Sequence, residues 1–77
     1  MTLKKATVLD HSKKISLRKC PWDPLADHDV LKLLRPGDKL TVSIDHMVYD
    51  WTDNSYFEVY ESRQIIGYIR TDAVTIE

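Results

Sequence analysis

Cysteine, glycine and long apolar runs are what this chain of 77 residues has least of. The single cysteine, Cys20, excludes an internal disulfide and a multi-thiolate metal site, so stability has to come from packing. Only two glycines remove any collagen-like reading. No apolar run approaches the roughly 18 to 20 residues of a membrane span, and the opening Met1-Thr2-Leu3-Lys4-Lys5 lacks the apolar stretch of a secretory signal. If Met1 is the native start, a cytoplasmic location is expected. Net charge is scarce too. A formal −1 argues against a dedicated nucleic-acid binder, which normally needs a clear basic excess, so nucleic acid is not the expected partner.

What is present is an ordinary globular composition, with 43% hydrophobic and 30% charged residues, in one small domain. A chain this short buries only about 60% of its unfolded surface, which leaves little room for a lidded substrate cavity. A non-catalytic protein without a cofactor is therefore expected. The charges are segregated along the chain. Residues 1 to 39 carry nine Lys or Arg against five Asp, and residues 40 to 77 carry two Arg against seven Asp or Glu. The simpler account places the first and last strands side by side, where they neutralise each other. The functional account is a bipolar surface that steers a charged partner.

Alternation of apolar and polar residues is strict over Lys39-Leu40-Thr41-Val42-Ser43-Ile44-Asp45, which predicts a half-buried strand. It predicts that Leu40, Val42 and Ile44 share a core with Leu17, Phe57, Val59 and Ile69. Pro36-Gly37 just before it suits positions i+1 and i+2 of a type II turn, which requires positive φ at Gly37. Val30 to Leu34 reads as a strand more readily than as the end of a short helix. Tyr56 to Glu61 and Ile65 to Arg70 form a hairpin across Ser62-Arg63-Gln64. Ala6 to Leu9, Ile15 to Arg18 and Val74 to Ile76 add three short runs. Two loops are expected to interrupt the strands, Lys19 to Asp29 and His46 to Ser55.

This order of short strands, together with Ile15-Ser16-Leu17-Arg18-Lys19-Cys20-Pro21, Tyr56-Phe57-Glu58-Val59 and Gly67-Tyr68-Ile69, resembles the bacterial SH3-type domains over nearly the whole chain. The resemblance implies an all-β fold, a small SH3-like barrel of five to seven short antiparallel strands with two long loops. It departs from the family where Cys20 replaces the usual Gly and Ser16 the usual Asn. In that family, domains most often recognise cell-wall peptides, chiefly through such loops, so a binding module for a protein or peptide partner is the expected function. A cell-wall peptide and a nucleic acid are the alternatives.

The candidate partner-binding residues are Trp22, Tyr49, Trp51, Tyr56 and Tyr68, because rigid amphipathic rings supply contact area at low entropic cost. The competing account is that Trp22 or Trp51 folds its loop onto the core and that Tyr56 and Tyr68 are core or rim. Asp45, Asp50, Asp53 and Asn54 lack calcium-loop spacing and read as a solvated loop. Cys20, His28 and His46 match no nucleophile-base or zinc pattern, so no metal is expected. Lys4, Lys5, Lys13, Lys14, Arg18 and Lys19 read as a solvated strand edge.

Overall fold

The computed structural model describes residues 2–9, 15–19 and 30–77, and Val30 by its backbone alone. Seven strands form one antiparallel sheet: β1 (Leu3–Val8), β2 (Ile15–Arg18), β3 (Val30–Leu34), β4 (Lys39–Tyr49), β5 (Ser55–Glu61), β6 (Gln64–Arg70) and β7 (Val74–Ile76). A single 3-10 turn over Thr71–Ala73 joins the last two. The spatial order is β3-β2-β6-β5-β4-β1-β7. The all-β expectation holds. Leu34 on one edge strand and Val74 on the other belong to the same buried cluster as Val8, Leu17, Val42, Val59 and Ile69. The sheet therefore curls around one core as a small open barrel, since a flat seven-stranded sheet would hold its edges about 29 Å apart.

Local chemistry sets the turns. At Arg35-Pro36-Gly37-Asp38, Gly37 has φ +90° and the Asp38 amide donates to the Arg35 carbonyl at 3.1 Å, the expected type II geometry. Gly37 N–H also donates to the Val8 carbonyl at 2.8 Å, which docks the turn on β1. Between β5 and β6 the loop is two residues rather than the expected three. Ser62 (φ 52°) and Arg63 (φ 66°) both adopt the left-handed conformation that a type I′ hairpin turn demands.

Two expectations about β4 need correction. The strand does not end at Asp45 but continues to Tyr49, so the second loop shrinks to residues 50–54. It also carries a bulge. Ser43 lies opposite Glu58 and Met47 opposite Phe57, so Ile44, Asp45 and His46 are extra residues with no counterpart on β5. The bulge resets which side chains face the core. Val42 is buried as expected, Leu40 and Phe57 are half-buried against the core, and Ile44 is 38% exposed instead of buried. Ser43 is buried in its place, with a hydroxyl that has no hydrogen-bond partner.

The lysines of β1 are solvated, as expected, but their strand is not an edge strand of the sheet. Lys4 and Lys5 pair with β4 on one side, while β7 on the other pairs only with Ala6 to Val8 and the Glu77 amide reaches the Lys5 carbonyl; Lys13 and Lys14 lie outside the described residues. Beside them the two charge halves do meet. Lys39 on β4 pairs with Glu77 across Thr7 of β1. Both partners are about half exposed, so this pair adds little stability.

Candidate functional site

The end of β4 and the turn after it hold two of the five residues that the sequence marked for recognition, Tyr49 and Trp51. The turn is organised by Asp50, whose carboxylate is buried and accepts five hydrogen bonds. Its Oδ1 receives the Thr52 amide at 2.8 Å, the Thr52 hydroxyl at 2.7 Å and the Asn54 amide at 3.1 Å. Its Oδ2 receives Asn54 Nδ2 at 3.1 Å and the Tyr56 hydroxyl at 2.9 Å. Backbone bonds from Asp50 N–H to Asn54 O and from Asp53 N–H to Asp50 O close the turn, with Asp53 in the left-handed region. Burial by itself would raise the Asp50 pKa. The donors on Thr52, Tyr56 and Asn54 outweigh it and hold the carboxyl well below the usual range. In the same contact, desolvation first, then the hydrogen bond to Asp50 and after it the Asp50 charge, push the Tyr56 phenol up to about 12.

This knot corrects two readings. Asp50 is not a residue of a solvated loop but the acceptor around which the turn is built. Tyr56 is not available to a partner, being 1% exposed with its hydroxyl committed to Asp50. It stands on the face of β5 opposite Phe57, with Val48 and Arg70 as cross-strand neighbours. Tyr68 is half-buried on β6 beside Glu58 and Arg18, on that same face. Trp22 lies outside the described residues, and so does the groove that its loop was expected to form with the second one.

The remaining two candidates come together. Tyr49 ends β4 and Trp51 follows Asp50, so the two rings flank the locked residue. They are 54% and 68% exposed. Met47, two residues before Tyr49, is 47% exposed and extends the row to every second residue from 47 to 51. No protein-family model, curated protein or solved structure matches the chain. The site therefore rests on its own geometry. Side chains at 47 and 49 share the face on which Phe57 and Ile69 pack into the core, and unlike Ile69 both are exposed. Sequence reading missed Met47 because a continuing strand was not foreseen. It missed Asp50 although Asp-x-Thr-x-Asn is a spacing in which one carboxylate can bond backbone amides two and four residues on.

Among the described residues no three His, Cys, Asp or Glu side chains converge as metal ligands would. Among them, too, no helix is long and apolar enough to cross a membrane.

Proposed function

We propose that the protein is a non-catalytic binding module that engages a protein or peptide partner through Met47, Tyr49 and Trp51. The observation that supports this is the exposure of three large apolar side chains at alternate positions, two at the end of β4 and Trp51 in the turn whose conformation Asp50 fixes. A preorganised turn spares the ordering entropy that a mobile loop would lose on binding. Aromatic side chains in such positions are typical anchors, surrounded by contacts worth little individually. The resemblance to bacterial SH3-type domains agrees, because that family binds chiefly through its loops. The test is affinity capture from the source cells with wild type, Trp51→Ala and Tyr49→Ala. Each substitution should leave the thermal midpoint nearly unchanged, since neither ring is buried, and weaken capture of the partner by about 2 kcal/mol or more. Capture undiminished by both would move the binding surface elsewhere.

A further inference from the structure

We infer that the partner lays an extended segment rich in Lys and Arg along the Met47–Trp51 row, an inference that rests on that row being the binding surface. Charge is the first reason. From Leu40 to Ser62, the whole of β4 after its first residue, the turn and β5, there are five Asp or Glu and no Lys or Arg. Three of the five bracket or underlie the row. Asp45 and His46 precede it at the bulge, Asp50 is buried within it, and Asp53 is exposed just after Trp51.

The two exposed carboxylates, Asp45 and Asp53, carry this field, because the buried Asp50 carboxylate is turned to Tyr56, whose cross-strand neighbour is Arg70. Arg70, the cross-strand neighbour of Tyr56, is engaged elsewhere. Arg70 forms a bidentate pair with Asp72, at 3.1 and 2.9 Å, and reaches Asn54 Oδ1 at 3.4 Å. Arg70 and Arg18 lie opposite Tyr56 and Tyr68, on the face away from Met47 and Tyr49. What the exposed row offers a partner is thus apolar and aromatic, with Asp45 before it and Asp53 after it.

That combination selects for long cationic side chains. Their methylene stems cover apolar surface, their charged heads reach the carboxylates at the ends, and indole and phenol faces attract them further. The strand geometry favours an extended segment. β1 runs beside β4 only as far as Ser43, with a last bond from Ile44 N–H to Thr2 O, so beyond Ile44 no described strand lies beside β4 on the side away from β5. A partner at alternating spacing matches the alternation of residues 47, 49 and 51.

The test uses three labelled synthetic peptides of matched length, (Lys-Val-Lys-Thr)3, (Glu-Val-Glu-Thr)3 and (Ser-Val-Ser-Thr)3, with anisotropy as readout. The basic probe should bind at least about tenfold more tightly than the other two and lose affinity severalfold between about 50 and 300 mM salt. Asp45→Asn with Asp53→Asn keeps both side-chain shapes, preserves an acceptor for the Thr2 amide and suits the left-handed conformation at 53. This double variant should weaken the basic probe by about fivefold at an unchanged thermal midpoint. No preference for the basic probe, or affinity indifferent to the double substitution, would overturn the basic partner class. If Trp51→Ala still abolished capture of the cellular partner, the apolar row itself would stand. Basic-probe binding that survives both Trp51→Ala and Tyr49→Ala would overturn the row and this inference together.

Discussion

At Asp50 the pH dependence of the fold has a definite sign. The carboxyl titrates lower in the folded chain than in the unfolded one, so the unfolded chain binds its proton first as the pH falls. The contribution is full above the ordinary carboxylate pKa of about 4 and drains away below it, toward the folded value. Urea midpoints measured from neutral pH downward should therefore drop on the acid side, and Asp50→Asn should flatten that drop. The amide also separates charge from acceptor number. Asn keeps one carbonyl oxygen for Thr52 and the Asn54 amide, whereas Asp50→Ala strands every donor. Asn should cost about 1 to 2 kcal/mol and Ala about 3 or more. Tyr56 runs the other way. Its phenol is held neutral, so its contribution is complete below a pH of about 10 and is lost as the pH rises through about 12. Ultraviolet titration of tyrosinate should show a late step that vanishes in Tyr56→Phe.

Between elements, the two glycines act through different physics, and the same substitution separates them. Gly37 has open space where a methyl group would project, with nothing within 4 Å, so Gly37→Ala would feel only its φ of +90° and should cost about 1 kcal/mol. Gly67 has no such φ. A Cβ there would meet the Arg18 carbonyl oxygen at 2.8 Å and Leu17 Cδ1 at 2.9 Å, at the point where β2 crosses onto β6. Because backbone is among the atoms in the way, Gly67→Ala should cost about 2 kcal/mol or more, and chemical denaturation of the two variants measures both. The turn at Gly37 was legible in the sequence because Pro-Gly states a local conformation. The closeness at Gly67 was not, since it depends on a strand some fifty residues earlier. The bulge in β4 was hidden for the same reason. Val42, Ser43 and Ile44 alternate regularly in sequence, and only the pairing with β5 shows that three residues have been looped out.

Over the whole molecule the legible part was the set of strands, and the illegible part was which strands lie beside which. Runs at Ile15 to Arg18, Val30 to Leu34 and Val74 to Ile76 are strands with the bounds expected from their β-branched and apolar content. Trp51 and Tyr49 were named as binding candidates from residue type and an expected loop, with burial of Trp51 against the core as the competing account; both are exposed, although Tyr49 ends a strand. Tyr56 was misjudged because an aromatic on a strand reads the same from sequence whether water or a buried carboxylate meets its hydroxyl.

The placement of β1 has a kinetic consequence. Its Ala6 pairs with Ile76, and its other side pairs with β4, so the earliest strand is held between two later ones and cannot complete its ladder until β7 exists. At about 5 to 20 residues per second, a ribosome would take about 4 to 14 s to add the roughly seventy residues between those partners. The three hairpins β2-β3, β4-β5 and β5-β6 can close locally meanwhile. Refolding should accordingly be slow for the size, on the millisecond-to-second scale of proteins dominated by distant pairings, and stopped-flow fluorescence of the tryptophans would time it. A circular permutant that joins residue 77 to residue 2 and opens the chain at Ser62-Arg63 makes the β1–β7 contact local. It should fold faster than the natural order, and an unchanged folding rate would show that β1 docks after the rate-limiting step.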